Sequence, residues 1–241
     1  GSARLFGVRL SPNFRSPYWA ASVADFWRRW HISFSRWLLD YLFKPLQMSF
    51  RGYRSAASPI ALLVTFIICG IWHGASWTFI AWGLLHGIYM AFSIVSKNLR
   101  AKSIKALGLG QFPGFHRALQ VAITFNLVCI GWVFFRANSM ADAYYILSHA
   151  LSGLKEALGQ LYSPEWIARN VYLGQPPGDF WIVCIALAIW AVAAKRMEKK
   201  DWFALVFSQP VWLRWLIYYA LVFSILILGQ FGEVAFLYFR F

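Results

Sequence analysis

Five runs of apolar residues, roughly 59–72, 77–95, 119–135, 180–194 and 211–228, decide most of what this chain can become. A helix needs about 20 residues to cross a hydrocarbon core about 30 Å thick. Lipid offers no partner to backbone that lies outside a helix or a closed barrel. The runs are therefore expected to be transmembrane helices. Composition points the same way: 60% of the residues are hydrophobic, 20% aromatic and 13% charged, where soluble domains have about 45–50% apolar and about 25% charged residues. The predicted class is all-α, a polytopic transmembrane helical bundle forming a single membrane domain over residues 1–241. The first and fourth runs are short for a crossing, so they are expected to be lengthened by flanking residues, tilted, or broken and partly re-entrant.

The net charge of +14 would suggest nucleic acid in a soluble protein. Here the basic residues lie between apolar runs, which is the signature of topology, and no nucleic-acid partner is expected. Nine Lys/Arg precede the first run. Lys97, Arg100, Lys102, Lys105 and Arg117 fall at 96–118, and Lys195, Arg196, Lys199 and Lys200 at 195–210. The 136–179 segment holds only Arg136, Lys155 and Arg169 against four acids. The alternation places residues 1–58, 96–118 and 195–210 in the cytoplasm and the C-terminus outside.

Before the first run, apolar positions Phe26, Trp27, Trp30, Phe34, Trp37, Leu38 and Tyr41 recur at helical spacing and predict an amphipathic interfacial helix over 23–43. Asp25 with Arg29, and Arg36 with Asp40, are i,i+4 pairs on its polar side. Pro45 is expected to end it and Lys44–Ser58 to form a basic loop. A short helix near Ala141–Leu154 and a turn around Gly174–Gly178 are expected further on. Cys69, Cys129 and Cys184 sit inside apolar stretches, where each reads as a small packing residue.

The histidines carry the chemical information. His73 lies in Gly70-Ile71-Trp72-His73-Gly74 at the junction of two apolar runs, and His86 lies in Leu85-His86-Gly87; together they make 59–95 a histidine-bearing helical pair. Ionisable residues at membrane depth face protein or a water cavity and are functional candidates by default. The competing reading is a neutral ring satisfied by a backbone carbonyl. His31 falls at the edge of the apolar face of the amphipathic helix, where it either points into a cavity or snorkels to water. His116 and His149 lie in polar loops and receive no role. No His-x-x-x-His or Cys-x-x-Cys spacing occurs, and no metal is expected; no Gly-x-Ser-x-Gly, P-loop or dinucleotide fingerprint is present. A histidine in a dry passage suits general-base catalysis, taking a proton from a hydroxyl as its oxygen attacks an acyl carbon, with a second histidine or a backbone N–H facing the oxyanion.

Two stretches carry a family resemblance. Asp25-Phe26-Trp27-Arg28-Arg29-Trp30-His31-Ile32-Ser33, continuing through Arg36-Trp37 and Asp40-Tyr41-Leu42, resembles the signature of the bacterial membrane-bound O-acyltransferases. Gly70-Ile71-Trp72-His73-Gly74, followed by Trp82-Gly83 and His86-Gly87, is similar to that family's second signature. Weaker echoes occur at Pro12-Asn13-Phe14, Pro17-Tyr18, Trp132-Val133-Phe134-Phe135-Arg136-Ala137 and Phe236-Leu237-Tyr238-Phe239-Arg240-Phe241. The nearest branch is the one that O-acetylates alginate or transfers D-alanine to teichoic acid; it usually has a glycine pair where this chain has Gln47-Met48.

The resemblance implies His73 as catalytic histidine and His31 as the second polar residue of the site. Trp72 and Ser35 are expected to line the substrate path, and Arg28 and Arg29 either to attract an anionic donor or to contact lipid headgroups. It further implies a multi-pass protein of the bacterial inner membrane, no bound cofactor, an acyl donor arriving from the cytoplasm (acetyl-CoA or a phosphopantetheine thioester), and an extracytoplasmic acyltransferase or polysaccharide partner. Members carry more spans before the first motif, so this chain is expected to be the C-terminal portion of such a protein. Simple spans put His73 near the outer surface, whereas the resemblance implies a tunnel; a broken first span reconciles the two.

Overall fold

The computed structural model describes residues 2–8, 10–150, 152, 159–160, 163–172, 176–197 and 202–228. The protein is an all-α membrane protein, and the described residues contain no strand. Four helices are long and apolar enough to cross a membrane: Ile32–His73, Trp77–Val95, Pro113–Arg136 and Pro177–Ala194. The fifth expected crossing forms a helix, but its apolar window, Val211–Ile227, falls just short of that length. Two compact units are distinguished, Gly1–Trp181 and Ile182–Phe241.

The first unit opens with α1 (Ser2–Leu5), then a 3₁₀ turn at Pro17–Trp19. Helix α2 (Val23–Arg29) starts where Ser22 Oγ accepts from the Asp25 N–H at 3.1 Å and Asp25 Oδ2 accepts from the Ala21 N–H at 3.3 Å. The first contact satisfies an amide that a helix start otherwise leaves open, and the second ties the residue before the cap to the Asp25 carboxylate. The single helix expected over 23–43 is instead interrupted at Trp30–His31, after which α3 (Ile32–Trp37) resumes. A π-helical stretch at Leu38–Phe43 follows, then α4 (Lys44–Ser49).

Pro45 therefore does not end the helix. It falls in the first turn of α4, where π turns give way to α turns and a missing N–H is tolerated. The expected basic loop at 44–58 is likewise helical: a 3₁₀ segment, Phe50–Ala56, leads into α5 (Ala57–His73), with a break at Arg54 (φ 53°, ψ −115°). This is how the short first run gains its length.

The segment from α3 to α4 runs back along α5. Phe34 stacks on Trp72 at one end, with ring centroids 4.7 Å apart, and Gln47 Nε2 donates to Ser58 Oγ at 2.6 Å at the other. His31 and His73 thereby come to the same end of the pair, although α5 lies between them in the chain.

After Gly74 (φ 150°, a value that favours glycine), α6 (Trp77–Val95) returns antiparallel to α5. Glycines let these two backbones approach: a Cβ at Gly83 would overlap the Phe66 carbonyl oxygen and stand 3.1 Å from Gly70 Cα, and one at Gly87 would stand 3.1 Å from Leu63 Cα. Gly83 and Gly87 form the small-x-x-x-small spacing that packs helices where no water is expelled. Helix α7 (Lys97–Ala106) and a 3₁₀ turn at Leu109–Gln111 lead to α8 (Pro113–Arg136), which packs on α6, and then to α9 (Met140–His149), close to the expected short helix. The core joins Phe26, Trp27, Leu38, Phe66, Cys69, Trp82 and Val128.

Helix α10 (Pro164–Asn170) follows, then α11 (Pro177–Met197), whose apolar side chains, Trp181, Ile185 and Trp190 among them, are exposed. The second unit adds α12 (Trp202–Phe207) and α13 (Val211–Leu228), where Trp215 packs against Tyr218 and Tyr219. Leu221, Val222, Phe223 and Ile225 of α13 are exposed, an apolar surface that only lipid or further protein can cover. The aromatic end Phe236–Phe241, residues 174 and 175 of the turn expected around Gly174–Gly178, and Lys199 and Lys200 lie outside the described residues, while Pro177 and Gly178 of that expected turn already belong to α11.

Candidate active site

His31 adopts the left-handed conformation (φ 42°, ψ 55°), shared only with Ser16 among the described non-glycine residues. Such a conformation costs about 1–3 kcal/mol and persists only where the surroundings over-determine it. They do so here. The Ile32 N–H donates to the Asn13 carbonyl at 2.9 Å and the Arg15 N–H to the Arg29 carbonyl at 2.9 Å. The Ser33 N–H and Oγ both donate to Asn13 Oδ1, at 2.9 and 2.7 Å. From the far side, Ser35 Oγ donates to the Trp30 carbonyl at 2.9 Å. The turn aims the imidazole inward, where Nδ1 is buried with no hydrogen-bond partner among the described residues.

Asn13 is the residue that sequence reading missed as a site element; its one signal was the echo at Pro12-Asn13-Phe14. Replacing it with alanine removes two acceptor contacts near the surface. Asn13→Ala is expected to destabilise the protein by about 1 kcal/mol, read as a lowered thermal midpoint in detergent. An unchanged midpoint would mean that the backbone contacts alone hold the turn.

His73 closes α5. Its ring is half-buried and lies edge-on to Trp72 (4.8 Å, 72°), Trp82 (5.1 Å, 90°) and Phe135 of α8 (5.0 Å, 81°). Phe34 is the hinge of the arrangement, with its centroid 5.2 Å from His31 and 6.4 Å from His73. Thus the structure brings His31, His73, Trp72 and Ser35 to one end of the helical pair. Trp72 is 58% exposed and Ser35 is engaged by the Trp30 carbonyl.

The two arginines differ. Arg29 binds Asp25 at 3.1 Å and the Arg15 carbonyl at 3.4 Å, bracing the start of the turn. Arg28 has a side chain 70% exposed and lies 3.7 Å from Asp25.

His86 takes another position. It is fully buried, and its Nδ1 accepts the Trp27 indole N–H at 3.2 Å. Partial burial among Phe26, Trp30 and Phe125 raises the pKa of the Tyr18 hydroxyl above its ordinary value. A cleft of about 770 Å³ lies between α8 and α9, lined by Cys129, Trp132, Arg136, Asp142 and Tyr145 among others; it is lined by none of the histidines. Among the described residues no three His, Cys, Asp or Glu side chains are grouped as a metal site would require.

An all-helical membrane protein with two histidines from separate motifs converging on an aromatic hub defines the class. The model of the membrane-bound O-acyltransferase family matches residues 1–141, and the chain belongs to that family. It is 39% identical to a probable alginate O-acetylase of Pseudomonas aeruginosa over 148 residues, covering 60% of this chain and 25% of that protein. It is 40% identical to a peptidoglycan O-acetyltransferase of Helicobacter pylori over 154 residues, covering 61% and 26%. With a teichoic acid D-alanyltransferase of Streptococcus thermophilus it shares 31% identity over 144 residues, covering 55% and 34%. The chain thus matches about a quarter to a third of each relative's length.

Proposed function

We propose that this chain carries the histidine site of an acyltransferase that moves a short acyl group, acetyl in the first instance, onto a hydroxyl of an extracytoplasmic polysaccharide or cell-envelope carrier. The observation that carries the reading is the convergence of His31 and His73 on Phe34. In the proposed step, the neutral imidazole of His73 takes the proton of the acceptor hydroxyl as its oxygen attacks the acyl carbon. The carbonyl becomes an oxyanion, to which His31 would donate through a protonated Nδ1, the atom without a partner among the described residues. Collapse of the tetrahedral species breaks the bond to the donor, and the imidazolium returns its proton to the departing thiolate.

Trp72 would flank the acyl group, and Ser35 supports the turn that presents His31. Arg28, the more exposed arginine, would meet an anionic donor such as acetyl-CoA or a phosphopantetheine arm, while Arg29 would serve the turn. The protein would act as a multi-pass protein of the bacterial inner membrane, taking its donor from the cytoplasm and delivering to an extracytoplasmic acyltransferase or polysaccharide partner. Relatives named for alginate and peptidoglycan O-acetylation favour acetyl, and the teichoic acid relative makes D-alanyl transfer the second reading.

The full-length protein, purified and supplied with labelled acetyl or D-alanyl thioester and a hydroxylated envelope polymer, tests this. Label is expected to appear on the polymer as an ester. Transfer of the D-alanyl label alone would replace the acetyl reading. Transfer of neither would leave a scaffold or acyl-export subunit as the better account.

A further inference from the structure

His86 is not accounted for by the acyl-transfer step, yet it is among the most completely enclosed side chains described. Its ring lies nearly parallel to Phe26 (6.4 Å, 18°) and to Phe66 (6.2 Å, 25°), with Trp82 5.1 Å away and Tyr89 5.9 Å away. Substrate has no approach through such a box. The bond from Trp27 Nε1–H uses the Nδ1 lone pair, so the ring is neutral and carries its proton on Nε2. That nitrogen faces the α8 backbone, where a Cβ at Gly131 would stand 2.8 Å away. Glycine at 131 is therefore part of the same construction: it makes room for the ring between α6 and α8.

The contacts of this ring lead in two directions. Trp27 belongs to α2, which ends at the turn that presents His31. Trp82 belongs to α6, and its ring meets His73 edge-on at 5.1 Å. Trp27 and Trp82 also touch each other at 5.9 Å. Purely apolar packing would bury α2 against the hairpin but leave it free to rotate or slide by fractions of an ångström. A hydrogen bond between two buried side chains removes that freedom, because any slip leaves both groups unpaired in a medium that cannot replace the bond.

We propose that His86 is a positioning residue: by accepting the Trp27 indole proton it fixes α2 on the α5–α6 hairpin and so sets His31 against His73. This rests on the acyl-transfer reading above, in which both rings must meet one reacting carbon.

Three variants of the full-length protein test it: Trp27→Phe, His86→Leu and His86→Asn. The first deletes the donor together with one ring of the indole, the second deletes the acceptor at similar volume, and asparagine places an amide oxygen close to the Nδ1 position. Trp27→Phe and His86→Leu are each expected to lower kcat about tenfold with KM within about twofold, since misplacement spoils the near-attack geometry without touching the binding surfaces. The double variant is expected to be no slower than the slower single, because both remove one bond. His86→Asn should recover most of the lost kcat.

Unchanged kcat in folded Trp27→Phe overturns the proposal, as does an equal loss in His86→Asn and His86→Leu. If His86→Leu does not fold, Trp27→Phe decides alone. His73→Ala run in parallel separates the two claims: inactive His73→Ala with normal Trp27→Phe defeats only the positioning role, whereas active His73→Ala defeats the reading on which it stands.

Discussion

His73→Ala in the full-length protein is expected to slow acyl transfer by about 10²–10⁴-fold, the range that loss of a positioned general base produces, with the helical bundle intact. The ring is half-buried among Phe34, Trp72, Trp82 and Phe135 and touches them mainly through edges. Removing it takes away packing at the end of α5, not in the centre of the α5–α6 contact, so folding should survive. His73→Gln sharpens the comparison. Glutamine keeps most of the volume and a hydrogen-bonding group but accepts no proton near neutral pH, and it should be as slow as alanine. Single-turnover transfer from a labelled donor, alongside a melting curve in detergent, reads both quantities. Turnover within about twofold of the unaltered protein would place the base elsewhere, and the convergence of the two histidines would then be structural.

How far the site was legible beforehand depends on which residue is asked about. His73 and His31 could be named because imidazoles are scarce near apolar runs and because each sits in a motif. Their meeting could not be read, since it depends on the reversal that lays the 32–49 segment along α5. Periodicity alone could not show that reversal. It reads Phe26 through Tyr41 as one continuous stripe, whereas the chain makes a left-handed turn at His31 that shifts the phase of the stripe. Nothing in the local sequence demands that turn; it is imposed by Asn13 and Arg15, some 15–20 positions upstream.

Pro45 misled for a related reason. A proline inside an apolar pattern ordinarily stops a helix, but here it coincides with a change of ladder register. Helix positions fared better, because hydrophobic run length is a property of the run itself: 77–95 and 211–228 are reproduced as Trp77–Val95 and Val211–Leu228, and the other three runs are lengthened at their ends. The pairing of His86 with Trp27 had no sequence signal at all. Both residues were visible, and only the packing joins them.

The tightest glycine position among the described residues leads to the second large effect. Gly83→Val is expected to break the α5–α6 contact. Even one carbon at this position would overlap the Phe66 carbonyl oxygen and press on Gly70 N and Cα at 3.1 Å. All three obstacles are backbone atoms, so no side-chain rotation relieves them, and the helices must separate. Overpacking of a close contact costs about 1–3 kcal/mol and sometimes more; here the separation also pulls Trp82 away from His73 and His86 from Trp27, so acyl transfer should fall together with stability. Gly110→Val is the matched control, since nothing stands within 4 Å of a Cβ there, and its melting point should be unchanged.

Cys69 reports the opening directly. It is fully buried beside Gly70, so in a background where every other cysteine is replaced by serine, a membrane-permeant maleimide should label Gly83→Val and spare the parent. Equal protection of Cys69 in both proteins, with equal melting points, would mean that the two helices do not meet at Gly83, and the placement of His73 and His86 on a common hairpin would go with it.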